Sequence, residues 1–324
     1  MKKQSFSLAV TAGILALAVG YASPASAAVT APCSAEANPS TSVLAISNGS
    51  AIYCQTAYGF SDTWFSNSTP GSYDQTLDTF SGESAAKITW SGMPTSGANT
   101  YGFLTPDLDG GTLAPNNIGT NWSVTSDIAV SGNTGASSLA LGGVTVDIGS
   151  VYTGTPGSGT MTETFHITNG TGSALTGLTF GNYFNFHPNG SYLGSACGFT
   201  TMSGSTIQTT TAGGGCGGGV IDPFGAMIVN LTPSAWDVGS AFSVLSNIAA
   251  NTLNGATDSG ITASDSAGYL EFALADLAAG SSIDVIVTLT NDASVVSASV
   301  PEPASIAILG IACAGLRLTR RQRA

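Results

Sequence analysis

Apolar and polar residues alternate with a period of two along much of this chain, and that spacing predicts strands. Trp122, Val124, Ser126, Ile128 and Val130 share one parity, with Ser123, Thr125 and Asp127 on the other. Val144, Val146 and Ile148 alternate with Thr145 and Asp147. Near the end, Ile283, Val285, Val287 and Leu289 alternate with Asp284, Ile286, Thr288 and Thr290. Successive side chains of a strand point to opposite faces, so each segment reads as a half-buried antiparallel strand rich in β-branched residues. Turn signals punctuate these runs at Asp109-Gly110-Gly111, Ser131-Gly132-Asn133, Asn169-Gly170 and Asn189-Gly190. Outside the two termini no long segment repeats at the helical period. The expected class is all-β: an antiparallel β-sandwich or jelly-roll-like body, flanked by an N-terminal signal-peptide helix and a C-terminal hydrophobic helix.

Two stretches interrupt the strand pattern. Thr209 to Gly219, TTTAGGGCGGG, is too glycine-rich for a strand interior and reads as a loop. Gly132 to Gly143 reads as a long hairpin connection. Neither is a linker, so residues 28–298 are expected to form a single large β domain between a signal peptide, 1–27, and a sorting tail, 299–324. Phe165 to Gly190, FHITNGTGSALTGLTFGNYFNFHPNG, resembles the strand pair common in secreted bacterial sandwiches, turning at Asn-Gly. Within it, Asn182-Tyr183-Phe184-Asn185 resembles the aromatic-Asn stretch of aldose-epimerase-like supersandwiches, without the catalytic His and Glu context of that family.

Both ends carry addresses. Met1-Lys2-Lys3 is a basic start, Phe6 to Val19 is mainly apolar, and Ala25-Ser26-Ala27 is a small-residue cleavage site, the marks of a secretory signal peptide. At the other end Val300-Pro301-Glu302-Pro303 precedes an apolar run, and Arg317, Arg320, Arg321 and Arg323 follow it. This tail resembles the bacterial PEP-CTERM sorting signal. The resemblance covers the tail alone and implies insertion in the inner membrane, recognition by an exosortase-type processing enzyme, and transfer to the cell surface or exterior. The prolines cannot continue a helix and hold Glu302 in an extended stretch. The arginines would stay on the cytoplasmic side and keep the body outside. The run from Ala304 to Leu316 is 13 residues. That is short of the roughly 20 that span a typical hydrocarbon core, a deficit that snorkelling by Arg317 and local bilayer thinning would partly cover.

Removing both ends changes the charge balance. Lys2 and Lys3 lie in the signal peptide and all four arginines in the tail, so of seven Lys+Arg the body keeps Lys87 alone. Eighteen of the nineteen acids stay in the body, whose formal charge is then −17, against −12 for the whole chain. Such a surface repels nucleic acid, acidic glycans and anionic lipid headgroups, and it suits solubility. Of the five cysteines, Cys313 falls in the apolar tail. The other four allow three pairings. Sequence proximity and an oxidising compartment favour Cys33 with Cys54 and Cys197 with Cys216. Each such bridge would close a loop of about 20 residues and contribute roughly 3 kcal/mol. A four-thiolate zinc site lacks the usual Cys-x-x-Cys spacing.

Candidate chemistry in the body is sparse. Glu163 and His166 would form half a metal site on a helix, but an offset of three on a strand puts them on opposite faces. His187 precedes Pro188 in a turn-like Phe-His-Pro-Asn-Gly, and both histidines read as surface or hydrogen-bonded groups. Asp107-Leu108-Asp109-Gly110-Gly111 echoes the start of a calcium loop, but its twelfth position is Ile118, so an acidic β-turn is expected instead. No cofactor is expected, with calcium the alternative at this turn. Trp64, Trp90, Trp122 and Trp236 would serve either sugar stacking or the core, with the core the commoner use. Nucleophile-elbow, His-Glu-x-x-His and phosphate-loop motifs are missing from the sequence. Acid–base chemistry would have to come from a carboxylate pair, as in glycosidases, and spacing does not reveal which of eighteen acids would form it.

The leading expectation is a non-enzymatic exported surface or extracellular-matrix protein, associated with exopolysaccharide, without hydrolase activity on ester, peptide or phosphate substrates and without affinity for DNA. A carbohydrate-binding sandwich is the second, and a carboxylate-dependent glycoside-active enzyme the third.

Overall fold

The computed structural model describes residues 43–47, 51–59, 61–66, 78–95, 102–105, 121–155, 158–188, 198–211, 224–253, 255, 266–292 and 294–296. These residues form an all-β body of two antiparallel sheets, as the alternation predicts. The first sheet has seven strands. A meander of β1 (Val43–Ser47), β2 (Ala51–Thr56), β3 (Ser61–Ser66) and β4 (Asp78–Thr89) leads into β9 (Thr179–Pro188), then β14 (Ser266–Ala273) and β13 (Ala235–Ser240). The second has eight: β10 (Gly198–Ser203), β11 (Thr206–Thr211), β12 (Phe224–Val229), β15 (Ser282–Thr290), β8 (Ser158–Asn169), β7 (Val144–Thr155), β6 (Thr134–Leu141) and β5 (Ser123–Ser131), in that spatial order.

The main core lies between the sheets. Val144, Val146 and Ile148 of β7, and Val285, Val287 and Leu289 of β15, are buried there against Phe165, Phe180 and Phe272. Their alternate neighbours stay on the outer face because the pleat has a period of two. Trp90 and Trp122 meet edge to face, with ring centroids 5.9 Å apart. Both are core residues, and Trp236 packs half-buried against the same cluster. In β5 the alternation fails: its register with β6 slips on both sides of Ser126, and such bulges shift side chains from one face to the other.

Residues 132–143 are no long connection. They hold the whole of β6 between two two-residue turns, Gly132-Asn133 and Gly142-Gly143. Gly142 and Gly143 both take positive φ, 58° and 86°, the conformation that a tight hairpin turn matching the strand twist requires. The glycine-rich stretch likewise starts later than expected, since β11 runs to Thr211.

One helix, α1 (Ala241–Ala250), departs from the all-strand expectation. Ser240 caps its start by accepting from the Ser243 amide, and Asn251 ends it in the left-handed conformation. Its apolar stripe of Ala241, Val244 and Ile248 packs on the outer face of the seven-stranded sheet against Ala85, Tyr183, Ala267 and Tyr269. That places a second, smaller core on the side of the sheet away from the sandwich interior. No helix among the described residues is long and apolar enough to cross a membrane.

Candidate functional site

The outer face of the seven-stranded sheet gathers the body's single cation, a carboxylate and a buried phenol. Register across β4, β9 and β14 aligns Lys87, Gly181 and Glu271 in one row. The next row holds Ala85, Tyr183, Tyr269 and Asp237. Lys87 and Glu271 flank the β9 strand, about 10 Å apart at the backbone from two strand spacings. They close over Gly181, and Lys87 Nζ lies 3.3 Å from Glu271 Oε2. The Tyr269 hydroxyl donates to that same oxygen at 3.0 Å. Lys87 Nζ also sits 5.8 Å from the Tyr269 ring centroid, within cation–π range.

This packing depends on glycine. A Cβ at position 181 would lie 1.9 Å from the Tyr269 hydroxyl and 2.5 Å from Cζ, so any side chain there would displace the ring. The Tyr269 hydroxyl is held well above its ordinary pKa, first by burial, then by the Glu271 charge, and then by the hydrogen bond it gives Glu271. The phenol therefore remains a donor through the physiological range. Asp237, in the adjacent row, accepts from Asn247 Nδ2 of α1 at 2.6 Å and ties the helix to the sheet.

Inside the sandwich a polar seam crosses the core. Ser150 of β7 donates to Gln55 Oε1 of β2 at 2.6 Å, joining the two sheets. Asn182 of β9 donates to Ser84 at 3.0 Å and to Met227 Sδ at 3.0 Å. Glu163 is fully buried on this interior side of β8, in register with Ser150. His166 lies on the opposite face, half-exposed, with Nδ1 at 2.5 Å from Asp284 Oδ1. The strand geometry thus separates Glu163 from His166 as expected, and they do not share a site.

Lys87 stood out in the sequence as the body's lone lysine, but its pairing with Glu271 did not, because 184 residues separate them and only sheet order brings them together. Other expectations fall outside the described residues: the signal peptide, the acidic turn Asp107–Gly111, and the tail residues Val300, Pro301, Glu302, Pro303, Arg317, Arg320, Arg321 and Arg323. Cys33, Cys197 and Cys216 fall outside as well. Cys54 lies on β2, His187 on β9 and Trp64 on β3, with their side chains outside the description.

No protein-family model and no curated protein matches the chain. Among solved structures, the fold is similar to a bacterial glucoamylase complexed with acarbose, at TM-score 0.42 and 8% identity, over 76% of this chain and 31% of that one. It is similar to a protein described as a kojibiose phosphorylase from the human microbiome, at TM-score 0.37 and 13% identity, over 76% and 29%. A third likeness is to a protein described as an aldose 1-epimerase from Escherichia coli K12, at TM-score 0.39 and 12% identity, over 76% and 98%. The chain thus spans under a third of the length of the first two. All three bear the names of carbohydrate-active enzymes, and against them stands the expectation of a non-enzymatic surface or matrix body. That expectation rested on the tail's resemblance and on a body with one lysine, no arginine and two poorly placed histidines, and a carboxylate pair needs none of these. At these scores and identities no activity transfers to this chain, and its function is argued from its own residues.

Proposed function

We propose that this is an exported protein whose β body engages neutral carbohydrate on the outer face of the seven-stranded sheet. One observation carries the reading. Lys87 and Tyr269 both bind Oε2 of Glu271, which leaves Oε1 without a partner among the described residues, on a side chain that keeps 17% of its surface exposed. An oxygen so placed accepts a hydrogen bond from a ligand hydroxyl, while the neighbouring ammonium donates to others. A polyol supplies both donors and acceptors. Anionic ligands are disfavoured by the body's negative charge, and a cationic one would meet Lys87 beside the same carboxylate.

The address supports the same setting. The tail's resemblance to the PEP-CTERM signal implies export and handling by an exosortase-type enzyme, and exopolysaccharide at the cell surface is the carbohydrate that destination offers. The test is binding of the exported protein to an array of neutral and acidic glycans, with Glu271→Gln alongside. Binding to neutral glycans is expected, weakened at least about tenfold in the variant, the loss of one charge-assisted hydrogen bond. If the wild type binds no neutral glycan, or a folded Glu271→Gln protein binds equally well, the reading fails.

A further inference from the structure

The row beside Lys87, Gly181 and Glu271 aligns Thr89 of β4, Thr179 of β9 and Ala273 of β14. Both rows lie on the outer face, because the residues between them, Ile88, Phe180 and Phe272, belong to the main core. Thr89 Oγ1 and Thr179 Oγ1 are 2.6 Å apart, and both threonines are half-buried. The pair is held from the side. Segment 102–104 bonds to the other edge of β4, where the Ile88 amide donates to the Gly102 carbonyl at 2.9 Å. A Cβ at position 102 would lie 2.5 Å from Thr89 Cγ2, so glycine lets this segment press against the threonine methyl. The methyl of Thr89 therefore faces Gly102 and its hydroxyl faces Thr179, with χ1 stiffened by the β-branch. Two hydroxyls that share one hydrogen bond keep one O–H donor and several lone pairs unused.

We propose that Thr89 and Thr179 form the second pole of the carbohydrate site, which then takes one neutral pyranose unit between its two poles, an inference that rests on the carbohydrate reading above. Residues two apart on a strand are separated by about 7 Å, so the hydroxyl pair stands about one sugar ring away from the Lys87–Glu271 bridge. At the first pole Glu271 Oε1 accepts from a sugar hydroxyl and Lys87 Nζ donates to one. At the second, the threonine pair gives its unused O–H to a hydroxyl oxygen on the opposite edge of the ring and accepts from that or a neighbouring hydroxyl. No charged group belongs to this pole, which suits a neutral ring. Ala273 is exposed beside Thr179 and adds a methyl group alone, leaving the C–H face of the ring room over β14. A small polyol reaches one pole at a time, whereas a pyranose reaches both.

The experiment titrates the exported protein calorimetrically with the methyl pyranosides of glucose, galactose and mannose, and with glycerol. At least one pyranoside should bind, and glycerol should bind at least about tenfold more weakly, having lost the hydrogen bonds of one pole. Thr89→Val and Thr179→Val should each weaken pyranoside binding about 2–10-fold, the scale of one neutral hydrogen bond, and leave glycerol binding little changed. Thr89→Ser and Thr179→Ser keep the hydroxyls and should keep the affinity, which separates a lost contact from a disturbed fold. The inference is overturned if glycerol binds as tightly as the pyranosides, if folded valine variants keep pyranoside affinity, if the serine variants lose it as the valine variants do, or if longer neutral glycans bind and no pyranoside does. A wild type that binds no neutral glycan on the array overturns the carbohydrate reading instead.

Discussion

Gly181 and Tyr269 sit on neighbouring strands so closely that a methyl group at position 181 would lie 1.9 Å from the tyrosine hydroxyl. The glycine is therefore the foundation of the Lys87–Glu271–Tyr269 cluster, although it contributes no chemical group to it. Its backbone angle is not the reason, since Gly181 is absent from the positive-φ glycines; the requirement is space alone.

Substituting Gly181 with Ala should cost about 1–3 kcal/mol of stability, the usual penalty for overpacking, and should also weaken glycan binding by moving Tyr269 off Glu271. Urea unfolding monitored by circular dichroism measures the first effect. Adding Tyr269→Ala should cost less in the Gly181→Ala background than in the wild type, because the two residues compete for the same space. Strict additivity would show that they do not.

The same tyrosine gives the fold an alkaline dependence. Its folded pKa is raised above the ordinary 10.0, so the folded state keeps the proton after the unfolded chain has lost it. This contribution is fully present below about pH 10 and is lost as the pH rises through the folded value. Tyr269→Phe should be less stable than the wild type at neutral pH by about 1–3 kcal/mol, having lost the bond to Glu271. Above about pH 10 its stability should fall less steeply. Unfolding curves taken at neutral pH and in carbonate buffer would decide this, and equal slopes would remove Tyr269 as the cause.

The address is testable separately from the body. Changing Pro301, Glu302 and Pro303 to alanines should leave an uncleaved, membrane-bound form in cell fractions. Release of that variant with wild-type mass and yield would end the sorting proposal.

Legibility in the sequence followed the range of the interaction. The parity of Val144, Val146 and Ile148 was readable because burial on one face of a strand imposes a period of two on neighbouring residues. The placing of Glu163 and His166 on opposite faces followed from the same rule, and the structure shows Glu163 to be the buried one. Helix α1 went unread although Ser240 at its start and the spacing of Ala241, Val244 and Ile248 carry its signal, because ten residues give only one short stripe. β6 was mistaken for a connection because its Thr-Gly-Ala-Ser-Ser beginning lacks large apolar residues, and its place in the sheet comes from pairing with β5 and β7.

By itself, the sequence determined the class of the body, the faces of its clearest strands, its acidity and the two terminal addresses that it resembles, all properties of composition or of residues close together in the chain. Only the tertiary structure decided which strands are neighbours. Lys87 met Glu271 because β9 runs between their strands, and Gly181 came under Tyr269 because β9 and β14 pair in one particular register. Strand order and register are set by burying both faces of many strands together, a cooperative condition on the whole fold that no local pattern of residues contains.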